Sequence, residues 1–405
     1  MIFDFSVFSV VMHFEFFKSG SKLSHSKEIW RTKSLKIAID ARSAMIIDGI
    51  GRMTFELIRH LGKIDKENQY YLFFHRDYPK IEEVLSPNFK KYIIHFKTGF
   101  IPLKVFWHEV LIPYHCKKLK VDVFHQPNFI SARKGSFKKI VTIHDLSTKI
   151  YPEQKPFNVR WYYNMYVSNT IKKADIIMAD SENTKKDIIR YYNVDKEKIK
   201  VVYPGVMDYF REINDKNLLS KVRDKYKLPE EYIFFVGTIE PRKNLVRLLK
   251  AFSEVIKGVN KSIFLVIAGY KGWLTKPFFK MLNALGISEN VLLLGYVNEE
   301  DLPALYNSAK IFVFPSIYEG FGIPPLEAMA CGTPVIASNA SSIPEVVGDS
   351  AILVDPYDEK MLANEIINLL KDNNLQKELS EKGLKRAKLF SWEKMAKEVL
   401  EIYKN

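Results

Sequence analysis

Short apolar runs separated by amphipathic stretches recur along the chain, and such runs predict buried β-strands. In the first half the predicted strands cover residues 37–39, 71–74, 121–124, 140–143, 176–179 and 201–206. In the second half they cover residues 232–237, 263–269, 291–297, 311–314, 335–337 and 351–354. Helical patterns follow many of these strands. The alternation predicts an α/β protein with two successive Rossmann-like βα series.

The lengths of these two series set the expected domains. The 405 residues are enough for two domains, each with its own core. We expect a first domain over 35–210, a second over 211–390 that begins with a polar, helix-like linker at 211–229, and a capped final helix at 391–405. In the leader, 1–34, the apolar and aromatic stretch 1–17 is too short and too charged to be a good membrane span. It is either a weak interfacial anchor or an extension upstream of the true start.

The stretch from Ser316 to Ser338 carries the densest chemical signal. A strand is followed by a loop with two glycines, and Pro324 or Pro325 is expected to begin a helix because proline is tolerated in a first turn. This order of strand, glycine loop, helix and strand places a helix N-terminus where it can bind an anion.

Two carboxylates, Glu319 and Glu327, flank this loop, and the free amides of Phe321, Gly322 and Ile323 are expected between them. Amides and a helix dipole favour phosphate, while carboxylates accept hydrogen bonds from hydroxyl groups. The pattern therefore suits a sugar nucleotide. A purely structural role for Glu327 as a partner of the helix dipole is the alternative.

The segment Tyr-Glu-Gly-Phe-Gly-Ile-Pro-Pro-Leu-Glu-Ala-Met-Ala-Cys-Gly-Thr-Pro-Val-Ile-Ala-Ser resembles the E-x7-E region of retaining glycosyltransferases of family 4. The resemblance implies the GT-B fold, with two facing Rossmann-like domains, a donor cleft between them and a final helix that packs back on the first domain. It also implies that Glu327 holds ribose hydroxyls, that Glu319 holds a hydroxyl of the transferred sugar, and that the loop from Gly320 to Ile323 meets the donor.

Two features of the first domain are candidates for the same site. Gly49 and Gly51 lie between the first strand and first helix, where a Rossmann fold brings backbone close to a ligand, although a plain turn explains them equally well locally. His144 follows a strand end, and a structural role is its alternative. In the family, the matching loop faces the donor phosphates and the acceptor, and the matching histidine lies near the transferred sugar. Ser181 is predicted to be a structural helix cap, and Gln126-Pro127 a loop.

In the second domain, Arg242 and Lys243 lie at a strand–helix junction, where a planar fork and a point charge are placed to clamp a diphosphate. The alternative is that Arg242 and Lys243 are simply solvated at the surface and bind nothing. The pair resembles the phosphate-binding Arg/Lys pair of the family. Many members carry a further arginine where this chain has Thr238, so fewer charges are expected on the phosphates.

Composition limits the partners. The formal net charge of +14 points to anionic partners, and two distant cysteines, Cys116 and Cys331, indicate neither disulfides nor a metal site and favour a reducing cytoplasm. No Asp-x-Asp with supporting ligands stands out, and the Arg/Lys pair can replace a divalent cation. We therefore expect no metal and no cofactor.

The resemblance implies a hexosyltransferase that uses a nucleoside-diphosphate sugar, with GDP-mannose ahead of UDP-glucose and related donors. A glycan or lipid-linked acceptor is expected, with peripheral contact to an anionic membrane. A sugar-nucleotide epimerase or a phosphorylase is the rival enzyme, although no cofactor lysine site for a phosphorylase is found. Outside enzymes, the rival is a basic protein that binds nucleic acid or a membrane surface, and no nucleic-acid-binding motif supports the first of these.

Overall fold

The computed structural model describes residues 34–46, 48–97, 100–155, 157–259 and 262–405. Apart from Ser34, the predicted leader lies outside these ranges.

The first domain is built on a seven-stranded parallel sheet with the strand order β3-β2-β1-β4-β5-β6-β7. Its strands are β1 (Lys36–Asp40), β2 (Gln69–Phe74), β3 (Phe89–Ile93), β4 (Val123–Gln126), β5 (Lys138–Ile143), β6 (Ile176–Ala179) and β7 (Ile199–Val201). The sequence did not predict β3, an edge strand whose two adjacent lysines break the apolar pattern.

The loop prediction for Gln126-Pro127 is wrong at Gln126. Its backbone pairs with Val141 of β5, and the preceding His125 pairs with Ile39 of β1. The strand ends where Pro127 follows, because proline has no N–H to donate to the ladder.

The second domain is built on a six-stranded parallel sheet with the order β10-β9-β8-β11-β12-β13. Its strands are β8 (Tyr232–Val236), β9 (Phe264–Ala268), β10 (Val291–Gly295), β11 (Ile311–Phe314), β12 (Val335–Ser338) and β13 (Ile352–Val354). All of them match predicted strands within a few residues. Their side chains are mostly buried, since helices cover both faces of such a sheet.

The α-helices connect and cover these strands. They are α1 (Gly49–Ile64), α2 (Ile101–Phe106), α3 (Ile112–Leu119), α4 (Ser147–Ile150), α5 (Phe157–Lys173), α6 (Glu182–Tyr192), α7 (Lys216–Tyr226), α8 (Leu245–Gly258), α9 (Lys276–Ala284), α10 (Leu302–Ser308), α11 (Ile323–Ala330), α12 (Ile343–Val347), α13 (Glu359–Lys371), α14 (Asn373–Ala387) and α15 (Trp392–Lys404). A π-helical segment, Trp107–Leu111, joins α2 to α3. Among the described residues, no helix has both the length and the apolar character needed to cross a membrane.

Two helices show how the chain passes between the domains. The segment expected as a linker, 211–229, contains α7, which Asp215 caps and whose Val222 is buried in the core of the second sheet. The final helix α15 packs against α1, and its Trp392, Met395 and Val399 belong to the core of the first sheet. The chain therefore returns to the first domain at its end.

Loops at the carboxyl ends of the two sheets contact each other. Gly320, which follows β11, lies against His144 after β5 and Ser181 after β6. Arg52, near the start of α1, reaches Glu327 in α11. The carboxyl ends of parallel strands are where doubly wound folds bind ligands, so the fold places two such edges face to face.

Candidate active site

Glu319 joins two of the predicted cations. Its Oε2 accepts from Arg242 Nη1 at 2.7 Å, and its Oε1 accepts from Lys243 Nζ at 2.6 Å. Both cations belong to a short 3₁₀ turn, Pro241–Lys243, between β8 and α8. Burial by itself raises the pKa of Glu319, but Arg242 and Lys243 outweigh it and lower the pKa to about 2. Three of the four residues predicted to be catalytic therefore form one hydrogen-bonded cluster, in which burial lowers the pKa of Lys243.

Glu240, which the sequence did not single out, shares this cluster. Its Oε1 accepts from Arg242 Nη2 at 2.8 Å, while its Oε2 is buried without a partner among the described residues. Arg242 thus lies between two carboxylates. Such a fork is held in one orientation before any ligand arrives.

The loop before α11 is shaped by Gly322, which caps the helix with a φ of 105°. Glycine adopts this left-handed backbone readily. The helix begins at Ile323, one or two residues before the predicted start at Pro324 or Pro325. Ser342 Oγ bonds the carbonyls of Glu319 and Phe321 at 2.9 and 2.8 Å, which fixes the loop.

Two amides of this loop, those of Phe321 and Gly322, are candidates for binding an anion. Within the part of the chain that the structure describes, the N–H groups of Phe321 and Gly322 donate to no other group. They lie at the start of α11, where the helix dipole adds to the attraction for negative charge. Phe321 contributes only its backbone here, because its ring is buried in the core of the second sheet.

Glu327 is buried and bound from two sides. Its Oε2 accepts from Tyr306 Oη at 2.9 Å, and its Oε1 accepts from Arg52 Nη1 at 2.7 Å. Arg52 also donates to Glu299 at 2.7 Å. Burial raises the pKa of Glu327, and Arg52 offsets this only in part. The sequence placed Arg52 beside the glycine loop but gave it no role, since its partners lie hundreds of positions away.

The two glycines of the first loop differ in their surroundings. A Cβ on Gly51 would lie 1.9 Å from the carbonyl oxygen of Ile46, whereas a Cβ on Gly49 would meet nothing within 4 Å. Asp48 caps α1 by accepting from the Gly51 amide at 2.7 Å. Packing within the loop thus requires glycine at Gly51, while at Gly49 open space remains.

His144 is buried, with both ring nitrogens engaged. Nδ1 lies 2.8 Å from Asp180 Oδ2 and Nε2 lies 2.7 Å from the carbonyl oxygen of Pro127. Both partners are acceptors, an arrangement that favours the doubly protonated ring. Burial lowers the pKa of His144, but Asp180 and the Pro127 carbonyl together raise it above the ordinary value. The backbone of His144 lies against Gly320, where a Cβ would approach its carbonyl oxygen to 1.9 Å.

Further contacts between the domains come from residues without a predicted role in the site. Ser181 caps α6 as predicted, and its Oγ also lies 2.6 Å from the Gly320 carbonyl oxygen. Glu345 of α12 accepts from the amides of Glu182 and Asn183 at 2.8 and 3.3 Å, so the second domain supplies a carboxylate to the N-terminus of α6. No local pattern signals these contacts, because each joins residues more than 130 positions apart.

Taken together, the second domain contributes cations, loop amides and carboxylates, and the first domain contributes Arg52 and His144, which contact Glu327 and Gly320. Amides and cations bind phosphate, and carboxylates bind hydroxyls. The arrangement fits a ligand that has both kinds of group.

Known structures share this fold. Sucrose-phosphate synthase from Thermosynechococcus elongatus matches with a TM-score of 0.73 at 20% identity, over 91% of this chain and 98% of that one. A glycosyltransferase from Rickettsia africae matches with a TM-score of 0.70 at 22% identity, over 92% and 98%. The architecture is GT-B, as predicted.

Sequence comparison then gives the family. The model described as glycosyl transferases group 1 matches residues 220–386, and the model described as glycosyltransferase family 4 matches residues 47–208. O-antigen chain mannosyltransferase B of Escherichia coli is 31% identical over 369 residues, which are 88% of this chain and 96% of that protein. The chain therefore belongs to the group 1, family 4 glycosyltransferases.

Proposed function

We propose that this glycosyltransferase moves a mannosyl group from GDP-mannose to a glycan or lipid-linked acceptor, with retention of the anomeric configuration, in the assembly of a cell-surface polysaccharide. The name of the Escherichia coli relative supports both the sugar and the pathway class. The chemistry of the cleft supports a nucleoside-diphosphate sugar as the donor.

The bridge from Glu319 to Arg242 and Lys243 is the observation that carries the proposal. A donor diphosphate would compete with Glu319 for these two cations. Once displaced from one of them, Glu319 would have an oxygen free for a hydroxyl of the transferred sugar. The cluster would thus couple phosphate binding to sugar binding.

The leaving nucleotide gains negative charge as the glycosidic bond breaks. Arg242, Lys243 and the amides of Phe321 and Gly322 would stabilise that charge more in the transition state than in the ground state, which is the condition for catalysis. Two fixed cations can take the place of a divalent metal, so we propose that the reaction is metal-independent. We assign no covalent nucleophile.

Glu327 and His144 would position the two ends of the donor. Glu327 would hold ribose hydroxyls in exchange for one of its present partners, Arg52 or Tyr306. His144 would position the transferred sugar, chiefly through the backbone where it meets Gly320. An imidazolium repels positive charge, so its electrostatics favour positioning over stabilisation of an oxocarbenium-like sugar.

We place the enzyme in the cytoplasm, at the inner face of an anionic membrane. Exposed apolar side chains lie at Phe100, Phe106, Val110 and Tyr114, close in sequence to the lysine pair 117–118. Apolar groups and lysines together suit an anionic lipid surface. We expect the protein to co-sediment with phosphatidylglycerol vesicles, less so in high salt, and not with phosphatidylcholine vesicles. Equal binding to both kinds of vesicle, or binding to neither, would contradict the proposal.

Thermal unfolding with GDP, UDP, ADP and dTDP, in the presence of EDTA, tests the donor site. A ligand that binds only the folded state raises the melting temperature by mass action. We expect GDP to give the largest shift, and both Glu327→Ala and Lys243→Ala to abolish it. Lys257→Ala, which changes an exposed lysine of α8, is the matched control and should keep the shift.

Transfer from GDP-mannose, followed by mass spectrometry of the product and by NMR of its anomeric proton, tests the reaction. Activity that persists in EDTA and an α-linked product from the α-linked donor are expected. A melting-temperature shift with UDP alone would indicate a UDP-sugar as the donor in place of GDP-mannose. If no nucleotide shifts the melting temperature, the proposed donor site is wrong.

A further inference from the structure

The first turns of α6 receive three groups from the second domain. The carboxylate of Glu345 accepts from the first two amides of the helix, and the Gly320 carbonyl accepts from Ser181 Oγ. The third group is the side chain of Tyr318, whose hydroxyl lies among residues of the first domain. Tyr318 and Gly320 flank Glu319, so two of the three groups belong to the loop that carries a predicted catalytic carboxylate.

The hydroxyl of Tyr318 crosses the boundary between the domains. It donates to Asp187 Oδ2 of α6 at 2.7 Å, and it accepts from the Leu146 amide, which follows β5, at 3.2 Å. Tyr318 is only 5% exposed, and burial raises the pKa of its hydroxyl, which therefore keeps the proton that it donates. Two separate elements of the first domain thus hold this one group in place.

The backbone of the same segment is bonded to the predicted phosphate clamp. Arg242 Nη1 donates to the Tyr318 carbonyl oxygen at 2.9 Å and to Glu319 Oε2 at 2.7 Å. The Ile317 amide donates to the Arg242 carbonyl oxygen at 2.9 Å. The side chain of Tyr318 is therefore fixed in the first domain, while its backbone is fixed on a cation of the second. A shift of the side chain would move the backbone that orients Arg242 and Glu319.

Asp187 suits this bond because a carboxylate is a strong acceptor. Its Oδ2 also accepts from Asn183 Nδ2, one turn earlier in α6, at 3.2 Å. Burial raises the pKa of the Asp187 carboxyl, and the hydrogen bond from Tyr318 opposes this rise. The hydroxyl thus stabilises the ionised carboxylate, and hydrogen bonds to charged groups are stronger than those between neutral groups.

We propose that Tyr318 is a positioning residue for transfer: its hydroxyl, bonded to Asp187, couples the position of the first domain to the orientation of Arg242 and Glu319. Tyr318 acts through these two side chains and does not itself contact the substrate. Small misplacements of catalytic groups slow a reaction strongly. The inference rests on the proposed transferase function and adds to it a residue that makes the catalytic geometry depend on contact between the domains.

Tyr318→Phe tests the assignment because it removes the hydroxyl and keeps the ring. The rate is measured as GDP release from saturating GDP-mannose, with methyl α-D-mannopyranoside as the acceptor. We expect kcat to fall about tenfold, the effect of one lost hydrogen bond to a charged group. The KM for GDP-mannose and the melting-temperature shift given by GDP should stay close to the wild-type values, because the phosphate-binding groups are still present. A merely structural role would not separate kcat from KM in this way.

Tyr226→Phe is the matched control. Tyr226 Oη donates to Asp301 Oδ2 at 2.7 Å, the same distance as in the Tyr318 pair, but both residues belong to the second domain. The aspartate keeps a second donor in each pair, Lys225 for Asp301 and Asn183 for Asp187. Tyr226→Phe should therefore show the wild-type kcat.

Variants of Asp187 test the other end of the bond. Asp187→Ala removes the acceptor and should lower kcat about as much as Tyr318→Phe does. The double variant should be no slower than either single variant, because one hydrogen bond can be lost only once. Asp187→Asn keeps an acceptor oxygen and should retain most of the activity.

Hydrogen exchange of the free protein gives a readout that needs no donor. Amides in weakly held segments exchange faster. In Tyr318→Phe, peptides that cover α6 and peptides that cover residues 316–322 should both exchange faster than in the wild type, since each segment holds the other. Tyr226→Phe should leave the exchange of both segments unchanged.

The assignment is overturned if Tyr318→Phe has the wild-type kcat, if the effects of Tyr318→Phe and Asp187→Ala on kcat simply multiply, or if kcat falls together with the loss of the GDP shift. If the wild type releases no GDP from GDP-mannose, the proposed reaction is wrong, and hydrogen exchange then decides the assignment: unchanged exchange in Tyr318→Phe would overturn it. The two failures are therefore distinguishable.

Discussion

Arg52 of the first domain lies between two carboxylates of the second: Nη1 donates to Glu327 Oε1 and Nη2 to Glu299 Oε1, each at 2.7 Å. The Glu327 side chain is only 4% exposed, so this ion pair is shielded from water on one side. If Glu327 holds the donor ribose, the nucleotide and Arg52 share one carboxylate. The contact between the domains and the binding of donor are then linked.

Arg52→Met should destabilise the protein because it leaves Glu327 buried without its cation. Losing one partner of a fully buried pair costs about 3–5 kcal/mol, and water that enters the cleft should reduce this to about 2 kcal/mol. The double variant Arg52→Met/Glu327→Gln should recover most of the loss. Melting temperatures and urea unfolding of the four proteins complete a double-mutant cycle.

Lys63→Met provides the control for that cycle, since Lys63 lies in the same helix α1 and is exposed. Its effect should stay below about 0.5 kcal/mol. Strict additivity of Arg52→Met and Glu327→Gln would show that the two side chains do not interact in solution.

Gly320→Ala should impair transfer more than it impairs folding. Its added methyl group would meet the His144 carbonyl oxygen across the cleft, so the loop and the first domain cannot both keep their places. We expect a loss of transfer rate of about a hundredfold, as for small misplacements in other enzymes. Rates in saturating donor, together with the melting temperature, check this.

Gly49→Ala is the matched comparison, because its methyl group meets nothing within 4 Å and lies at the start of α1. Its melting temperature should equal that of the wild type. Weaker nucleotide binding in this stable variant would place the donor at Gly49, whereas unchanged binding would favour a plain turn there.

The protonation of His144 should make the stability of the protein depend on pH. Its folded pKa lies above the ordinary 6.5, so its contribution is fully present below pH 6.5 and is lost as the pH rises through the folded pKa. The stability difference between the wild type and His144→Asn should therefore shrink from pH 6 towards pH 9. A difference that stays constant or grows over this range would contradict the imidazolium assignment.

Tyr403→Phe tests how the final helix holds the first domain. The Tyr403 hydroxyl lies 2.6 Å from His125 Nδ1, and both residues are buried. Removing it leaves a buried ring nitrogen without a partner, which should cost about 1–3 kcal/mol. Urea unfolding measures this loss, and Tyr270→Phe, at an exposed position, should show almost none.

Much of the fold was predictable from local pattern. The strands of the second sheet are continuous apolar runs, and each of them was predicted, because a strand covered on both faces has few polar positions. The edge strand Phe89–Ile93 was missed because its adjacent lysines match no buried pattern. Gln126 was assigned to a loop because a polar residue before proline resembles a turn.

Some features of the candidate site were likewise predictable from local sequence, and others were not. The E-x7-E loop, the Arg242-Lys243 turn and the glycine loop could be found from sequence, since each is a contiguous segment whose residue types indicate its chemistry. The contacts of Glu319 with both cations and of Arg52 with Glu327 became evident only from the folded chain. The physical reason is that hydrogen bonds and ion pairs depend on distances of about 3 Å, and the two facing sheet edges bring together residues that the chain separates by scores or hundreds of positions.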